Sequence, residues 1–519
     1  MFIFKQAHMI SISKTYFFIP TLLVFTKFYN LIKANVYIVS KEGLIPIVSS
    51  FLLASLLSTV LFTKCIKDRK KAILANLYFL GIFFYYGDLF NMMRTSFTSI
   101  GDIFIHMICW FWIVAFPFAI AKFLDEQNRK DILKFSLAYA VLISGYSTLT
   151  IAKVCFKEAQ KKKTPLENIF AETNVGVSNE TLGEEAPDIY YLVVDGYARE
   201  DFLQKYFDHD NSPFLNELRQ RGFFIADKAK SNYNATYASL SSTLNLQHVG
   251  ETNLSYRKLS EHISDNATAR YLQGKGYQYI TVNTSYAPTQ NSKIADIRYQ
   301  IPLGNEFLSV VLEDTLLECI MPNFAEVNHH VLDSLHDVVR HKEPKFVFAH
   351  LTLPHSPYIF DENGQELGGQ YEIYAKQIRH TFSPDNPEKK NYGYVNNKLS
   401  TYVDQMKYTN KELLKVIDHI NSNSKVKPII ILQSDHGWCQ ESVAPATAQY
   451  FEQRFPILNT WQVPDSVKKQ LTSDICSVNT FRVLFSALYG ENLPLIENTQ
   501  YYVDESTLTK VPAEFQDLN

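Results

Sequence analysis

Three short stretches of the sequence combine carboxylates and imidazoles in places where metal chemistry could occur. Asp195 ends the apolar run DIYYLVV, His355 stands in LTLPHSPY, and Asp435 and His436 follow the run IIILQS. Oxygen and nitrogen ligands of this kind suit a divalent cation. Each stretch alone is a weak signal, because Asp-Gly is a common turn and a lone Asp-His pair is often a surface feature. Together they predict a metal site, provided that the fold brings them to one place.

The segments around these residues predict a fold that could do so. Apolar, β-branched and aromatic runs alternate with helical segments, which is typical of a mostly parallel central sheet flanked by helices. The predicted strands are Asp188–Val194, Tyr277–Thr281, Phe346–Leu351 and Pro428–Leu432, and the predicted helices include Ser212–Arg221 and Lys398–Ile420. Ligands in α/β folds gather at the carboxyl ends of such strands. We therefore expect the three stretches to meet at one edge of the sheet.

Long apolar segments dominate the chain before this region, up to about Phe156. A membrane span needs about 20 mostly apolar residues in helical form. Four segments meet this requirement: Leu44–Thr63, Ala72–Met92, Ile103–Ala121 and Phe135–Ile151. A fifth, Tyr16–Ile32, carries Lys27 and is either a further span or an interfacial helix whose lysine reaches the headgroups. The sequence thus predicts N-terminal transmembrane helices.

Loop charges predict the orientation of these spans. Basic residues crowd the loops 64–71 and 122–134, whereas the intervening loop holds only Arg94. Positive loops tend to remain cytoplasmic, so the last span exits on the other side. The basic residues at 153–163 disagree, but a large domain is translocated largely regardless of local charge. We expect an integral protein of a cell or inner membrane with its globular domain on the non-cytoplasmic side.

These observations predict four parts of the chain: a transmembrane domain of four or five helices (1–156), a polar linker (157–186), a catalytic domain (187–505) and a C-terminal tail (506–519). The 519 residues carry 50 Lys and Arg against 53 Asp and Glu. This near-neutral balance gives no indication of nucleic acid as a partner. The amino-acid sequence does not specify an oligomeric state.

The motifs of the globular part resemble those of a known family. PDIYYLVVDGYARED is similar to the opening strand of the sulfatase-like enzymes of the alkaline phosphatase superfamily, and ILQSDHG is similar to their second metal-ligand strand. Between them, SNYNATYASLSSTLN resembles the segment that carries the nucleophile at the start of a helix. FVFAHLTLPHSPYIFDENG, RFPILNTW and DICSVNTFRVLFSALYG extend the resemblance over most of residues 187–501.

The resemblance implies a role for five residues. Asp195, Asp435 and His436 match metal ligands, and Thr236 matches a nucleophile that also touches the metal. His355 is expected to contact the substrate or to protonate a leaving group. A hydroxyl becomes a competent nucleophile when a cation stabilises its alkoxide, and a helix N-terminus adds positive potential for a phosphate or sulfate.

Other polar residues near these positions admit two interpretations. Several hydroxyls crowd the stretch around Thr236 and could instead be helix caps or packing residues: Ser231, Ser239, Ser241, Ser242 and Thr243. Thr236 is preferred because it stands three residues before Ser239-Leu240, as in the family pattern. His350 is expected to be a core or rim histidine. Asn283 and Tyr286 could line a pocket or form a turn, and Arg454 could face an anion or lie exposed.

One departure from the family bears on the reaction. The Cys/Ser-x-Pro-x-Arg signature of sulfatases proper is absent around Thr236. A threonine at this position resembles the membrane-bound phosphoglycerol and phosphoethanolamine transferases, which implies transfer or hydrolysis of a phosphoryl-linked group on a membrane lipid or envelope glycan. The ligand set implies one divalent ion, with Mn²⁺ or Mg²⁺ favoured and Zn²⁺ also compatible. The alternatives are sulfuric ester hydrolysis and a non-catalytic membrane module that retains the fold.

Overall fold

The structure is a computed structural model of the 519-residue chain. It describes residues 16–35, 41–96, 102–160, 186–249, 256–304, 306–312, 315, 317, 320–367, 400–439, 443, 445–504 and 507–512. Most of the expected polar linker, at 161–185, lies outside the described residues, as does most of the expected C-terminal tail. The described residues divide into two compact units, one made of the N-terminal helices together with the segment Phe307–Met321 and one made of the α/β domain.

The described part of the N-terminal unit is mostly helical. Its helices are Ile19–Asn35, Lys41–Cys65, Arg69–Phe84, Tyr86–Ser96, Asp102–Phe123 and Glu126–Gln160. Each of the five apolar segments picked out in the sequence falls on one of these helices, except that Ala72–Met92 is divided into two helices at Tyr85. Within the same unit, Phe307 and Val311 pack with Val24, Phe28 and Phe84.

Two of these helices are long and apolar enough to cross a membrane. The spans are Ile45–Cys65 and Glu126–Thr150, and only 11% and 17% of their most apolar windows are buried inside the protein. Leu53, Leu57 and Leu61 lie along one of these helices and are more than half exposed. Large apolar side chains exposed at successive turns are stable in a hydrocarbon environment rather than in water.

The second unit has a seven-stranded sheet in the order β2-β7-β6-β1-β5-β3-β4. The strands are β1 (Ile189–Val194), β2 (Phe224–Ile225), β3 (Gln278–Val282), β4 (Ile297–Tyr299), β5 (Lys345–Leu351), β6 (Ile429–Ser434) and β7 (Asn459–Gln462). The five strands from β6 to β4 are parallel, whereas β7 is antiparallel to both of its neighbours. All four predicted strands are present within one or two residues of their predicted bounds.

Helices connect these strands and cover the sheet. Their bounds are Glu200–Phe207, Ser212–Gln220, Thr236–Leu244, Tyr256–Ser264, Ala267–Gly274, Ala287–Gln290, Phe324–Asp337, Ser400–Asn423, Ala448–Arg454, Asp465–Lys468 and Thr480–Tyr489. A further helix, Glu306–Leu312, belongs from Phe307 onward to the first unit. Both predicted helices, at 212–221 and 398–420, are among them. The predicted α/β fold with a mostly parallel sheet flanked by helices is therefore confirmed.

The central strand β1 is buried on both faces, which explains its unbroken apolar run. Tyr190 and Leu192 pack into the core on one side of the sheet, while Tyr191 and Val193 pack into the core on the other. Strands of parallel sheets are apolar on both faces because helices cover each side. This burial fixes the register of β1 and so the positions of the residues that follow it.

A two-stranded sheet lies near the C-terminus, where β8 (Tyr501–Asp504) pairs antiparallel with β9 (Thr507–Lys510). The expected boundary between catalytic domain and tail, at residue 505, falls between these paired strands. Tyr501 also connects this sheet to the loop before the helix Thr236–Leu244, because its backbone N–H donates to the carbonyl oxygen of Asn232 at 2.8 Å.

A buried ion pair at the amino ends of β1 and β5 gives a test of the fold. Nζ of Lys345 lies 2.5 Å from Oδ2 of Asp188, and both side chains are largely buried. We expect Asp188→Asn to lower the free energy of unfolding by about 3 kcal/mol, because it leaves a buried ammonium without its charge partner. Arg340→Gln is the control, since it removes an exposed pair with Asp337 and is expected to change little. Denaturant unfolding of the full chain in detergent measures both; equal effects would contradict the prediction.

Candidate active site

The carboxyl ends of β1, β5 and β6 lie side by side and carry the expected ligands. Val194, the last residue of β1, pairs with Leu351 of β5 and with Ser434 of β6. The backbone N–H of Asp195 then donates to the carbonyl oxygen of Leu351 at 2.9 Å. This register places Asp195 and Asp435 next to one another, directly after adjacent parallel strands.

Thr236 reaches the same place from a different element. It is buried and is the first residue of the helix Thr236–Leu244. Its Oγ1 lies 3.2 Å from Nε2 of His436, a residue 200 positions further along the chain. The first N–H groups of a helix have no partner within it and carry partial positive charge. The hydroxyl therefore stands where an anionic group would be stabilised.

Donor atoms of four residues converge around one point. Nε2 of His436 lies 3.4 Å from Oδ1 of Asp195 and 3.3 Å from Oδ2 of Asp435, in addition to its contact with Thr236. Both carboxylate oxygens are buried, and neither has a hydrogen-bond partner among the described residues. Burying charged oxygens without a donor is costly, and a cation between them removes that cost. The residues present thus fit a divalent metal ion.

The hydrogen bonds of His436 set its tautomer. Its Nδ1 lies 3.0 Å from the carbonyl oxygen of Gly437, which can only accept, so the ring proton belongs on Nδ1. Nε2 then keeps its lone pair toward Asp195, Asp435 and Thr236. A histidine that binds a metal through one nitrogen and donates from the other to a carbonyl is a common arrangement.

Burial and neighbouring charges shift the pKa values of His436 and Asp195. Burial, and next the Arg454 guanidinium, lower the pKa of His436 to about 4, so the ring is neutral near pH 7. Burial alone would raise the pKa of Asp195, but the neighbouring imidazoles of His355, His350 and His436 outweigh it and hold the pKa below its ordinary value. A neutral imidazole beside a carboxylate is the protonation state that metal binding requires.

Two further histidines adjoin Asp195. His355 is half-buried, and its ligand atom lies within 4.8 Å of those of Asp195 and His436. Its Nδ1 lies 2.7 Å from the Ser356 carbonyl oxygen, which leaves Nε2 as an acceptor. His350, fully buried in β5, has Nε2 3.4 Å from Oδ2 of Asp195. The sequence pattern assigned His350 only to the core or rim; its place directly opposite β1 explains the contact with Asp195.

Arg454 also faces the candidate metal ligands. Its side chain is held by hydrogen bonds there, so the alternative that it is simply an exposed charge does not hold. Its Nε donates to the Asn234 carbonyl oxygen at 2.8 Å and its Nη1 to the Gly437 carbonyl oxygen at 3.3 Å. Nη2 lies 2.9 Å from Nε2 of His436. The guanidinium therefore bridges the loop before Thr236 and the loop after β6, with its charge held beside Thr236.

The other hydroxyls near Thr236 have local partners. Ser231 and Ser239 both donate to the Tyr233 carbonyl oxygen, at 3.0 and 3.1 Å, and Ser242 donates to the Gln247 carbonyl oxygen at 2.8 Å. Ser241 lies 3.3 Å from Nδ1 of His262. These contacts are structural, as the capping and packing interpretation anticipates. Among the hydroxyls of this stretch that the structure describes, Thr236 is the one in contact with His436.

Two glycines allow the strand ends to approach so closely. Gly196 has φ +67°, a backbone conformation that favours glycine, and a Cβ there would lie 3.2 Å from a ring atom of His355. A Cβ on Gly437 would lie 2.5 Å from the Pro456 carbonyl oxygen and 2.7 Å from that of Gln453. The loop after His436 therefore packs directly against the backbone of the segment that holds Arg454.

The fold and the site together define a hydrolase or transferase of the alkaline phosphatase superfamily. The family model described as Sulfatase matches residues 187–454, which is more than half of the chain. The chain belongs to the sulfatase family and is an enzyme of that superfamily. A comparison with curated protein sequences returned no significant match.

Several solved structures are similar to the chain. The C-terminal periplasmic domain of EcEptC from Escherichia coli, in complex with Zn, is 12% identical, with a TM-score of 0.42, covering 65% of this chain and 94% of that one. The integral membrane protein lipooligosaccharide phosphoethanolamine transferase A from Neisseria meningitidis is 12% identical, with a TM-score of 0.36, covering 91% and 94%. The lipoteichoic acid synthase LtaP from Listeria monocytogenes is 11% identical, with a TM-score of 0.39, covering 67% and 93%.

The close packing around Gly437 yields a prediction about metal content. We expect Gly437→Ala to lower the metal bound per protein about tenfold or more, because its Cβ must displace the backbone beside His436. Gly145→Ala is the matched control, since a Cβ there meets nothing within 4 Å. Elemental analysis of both purified variants measures the content. Unchanged metal in Gly437→Ala would contradict the assignment of this loop to a metal site.

Proposed function

We propose that the protein transfers or hydrolyses a phosphoryl-linked group of a membrane lipid or envelope glycan through a covalent intermediate on Thr236. The observation that carries this proposal is the convergence of Thr236 Oγ1, two carboxylate oxygens without a partner among the described residues, and the unprotonated Nε2 of His436. A hydroxyl in such a group is positioned for nucleophilic attack rather than for capping. The family contains enzymes that act on esters of phosphate or sulfate, and Thr236 in place of a modifiable cysteine or serine favours phosphate.

Asp195, Asp435, His436 and Thr236 would hold one divalent ion. Two carboxylates, one imidazole and one hydroxyl are compatible with Mn²⁺, Mg²⁺ or Zn²⁺, and the two acids favour the first two. Such an ion would supply charge stabilisation to the Thr236 alkoxide and to the phosphoryl oxygens. The low pKa of His436 keeps the ring available as a ligand at neutral pH.

The chemical step needs few residues. The Thr236 oxygen forms a bond to phosphorus as the bond between phosphorus and the leaving alcohol breaks, and the hydroxyl proton passes to water. The N-terminus of the helix Thr236–Leu244 stabilises the negative phosphoryl group. His355 would take up a proton from this water on Nε2, while its Nδ1–H stays donated to the Ser356 carbonyl oxygen, and would deliver that proton to the leaving alkoxide. Water or an acceptor alcohol then releases the group from Thr236.

Arg454 would bind a phosphoryl oxygen. Two of its nitrogens are held by backbone carbonyl oxygens on both sides of the site, so its orientation is fixed before substrate binds. A preoriented guanidinium that donates to an anion contributes both affinity and alignment. Its present contact with His436 would give way to the metal and the substrate.

The N-terminal helices are consistent with a donor substrate that lies in the bilayer. We propose that residues 1–156 anchor the enzyme, that 157–186 form a tether, and that the catalytic domain from 187 lies on the non-cytoplasmic side, as loop charges favour. An enzyme anchored next to its lipid donor meets a high local concentration of it. A reporter fused after residue 160 and read on each side of the membrane tests this orientation.

Removal of the nucleophile tests the reaction. We expect Thr236→Ala to lower turnover of a chromogenic phosphodiester at least about 10⁴-fold, because no other described hydroxyl occupies its position. Thr236→Ser should retain measurable turnover, since the attacking group is kept. Ser239→Ala, on the same helix but with its hydroxyl bonded to a carbonyl oxygen, is the matched control. Turnover in Thr236→Ala at the level of the control would refute the mechanism, and much faster cleavage of an aryl sulfate would favour sulfuric ester hydrolysis.

Arg454 gives a second test. We expect Arg454→Met to reduce kcat/KM for the same phosphodiester about 10²-fold, which is the usual cost of losing one preorganised donor to a developing charge. Arg221→Met is the control, because that arginine pairs with Asp418 and Glu217 on the surface. Steady-state kinetics on the metal-loaded proteins measures both. Equal kinetics for the two variants would exclude Arg454 from substrate binding.

A further inference from the structure

The two oxygens of the Asp195 carboxylate face different imidazoles. Oδ1 lies 3.4 Å from Nε2 of His436, on the side where Asp435 and Thr236 also converge. Oδ2 lies 3.4 Å from Nε2 of His350, which is fully buried in β5. The proposed reaction uses only the first of these contacts. The second places a buried imidazole beside the carboxylate oxygen that points away from the other ligands.

The sheet brings His350 to this oxygen. In the register of β1 and β5, His350 pairs with Val193, two residues before Asp195. Residues two apart along a strand point to the same face of the sheet. The backbone N–H of Asp195 continues the pairing, because it donates to the Leu351 carbonyl oxygen at 2.9 Å. The backbone of the two strands therefore sets the position of His350 relative to Asp195.

His350 can act on this oxygen only as a hydrogen-bond donor. A carboxylate oxygen accepts, so the ring proton belongs on Nε2. Nε2 is buried and makes no closer hydrogen bond with any described residue. A separation of 3.4 Å is long for such a bond, and hydrogen bonds in active sites often tighten when the site is filled. The contact is thus in place before a metal ion binds.

A hydroxyl on the other side of the ring supports the same tautomer. Oγ1 of Thr289, in the short helix Ala287–Gln290, lies 3.4 Å from Nδ1 of His350. It also lies 3.3 Å from the Tyr286 carbonyl oxygen, but that oxygen already accepts from the backbone N–H of Thr289 at 3.1 Å. In the described part of the chain, Nδ1 has no donor other than this hydroxyl. Donation from Thr289 leaves the ring proton on Nε2.

The hydrogen bonds then run in one direction toward the carboxylate. Oγ1 of Thr284 accepts from the Tyr286 N–H at 3.2 Å and lies 3.5 Å from Oγ1 of Thr289, to which it can donate. Thr289 donates to His350, and His350 donates to Asp195. His436 has the opposite tautomer, with its proton on Nδ1. One imidazole thus offers a lone pair on the metal side of the carboxylate, and the other offers a proton to the far oxygen.

We propose that His350 is a positioning residue for the metal site, which donates from Nε2 to Oδ2 of Asp195 and so keeps Oδ1 directed at the cation. This inference rests on the metal site of the proposed function. It goes beyond that site by giving a role to His350 and, through the tautomer of its ring, to Thr289. Partners that hold a ligating carboxylate typically contribute about 10- to 100-fold to metal affinity.

Metal affinity tests this role independently of the reaction. Competition for Mn²⁺ or Zn²⁺ between the full-length protein in detergent and a chelator of known affinity gives the dissociation constant. We expect His350→Leu, which keeps an apolar side chain in the core, to raise this constant about 10- to 100-fold. His350→Gln should stay within about threefold of the native protein, because its amide nitrogen can replace Nε2 as the donor. A residue that only filled space would not be rescued in this way.

Thr289→Val tests the tautomer. It should raise the dissociation constant by about three- to tenfold, since the ring loses the donor to Nδ1 while the strand positions stay unchanged. Thr281→Val is the matched control. It removes another buried hydroxyl, on β3, which has no hydrogen-bond partner among the described residues, and it should leave the metal affinity unchanged.

The outcomes separate this role from the proposed function. Native metal affinity in folded His350→Leu, or equal losses in folded His350→Leu and His350→Gln, would overturn the inference. If neither His350 variant folds, equal affinities of Thr289→Val and Thr281→Val would overturn it. A native protein that binds neither Mn²⁺ nor Zn²⁺ would refute the metal site and this inference together. Turnover without Thr236 would refute the mechanism and leave the role of His350 in metal binding intact.

Discussion

Two buried carboxylates at the ends of adjacent parallel strands are the constraint around which this site is built. Asp195 and Asp435 each present an oxygen that no described residue satisfies, and these oxygens lie 3.4 and 3.3 Å from Nε2 of His436. Like charges held this close in a buried place repel one another and lose hydration. The rest of the local structure supplies positive potential to the same point, through the helix that begins at Thr236 and the guanidinium of Arg454. A divalent ion would complete this balance.

The sheet holds these charged residues close together despite their mutual repulsion. The strand β1 is buried on both faces and fixed in register by β5 and β6, so the positions of the residues after it do not depend on the polar groups themselves. Apolar burial along these strands is the main stabilising term of the domain. Gly196 and Gly437 then let the loops approach one another without displacing that framework.

Much of this arrangement is predictable from the amino-acid sequence, for a definite reason. Buried parallel strands leave long apolar runs, and the residues directly after them must lie at one edge, so the runs alone place Asp195, Asp435 and His436 together. Thr236 is predictable only through a resemblance, because a hydroxyl-rich stretch has no feature of its own that selects one residue. The contacts of His350 and Arg454 with this site are not predictable from the sequence. Each depends on contacts with segments that are distant in the chain, which the residue type and the local pattern do not reveal.

The proposed mechanism requires that Thr236 carry the transferred group. The most direct measurement is mass spectrometry of the intact, acid-quenched protein after exposure to a cell-envelope lipid extract, followed by mapping of the modified peptide. The mechanism predicts a single phosphoryl-containing adduct on the peptide that includes Thr236, absent from Thr236→Ala, with a mass that identifies the transferred group. An adduct on another residue, or a protein that turns over substrate while Thr236 stays unmodified under every quench time, would contradict it.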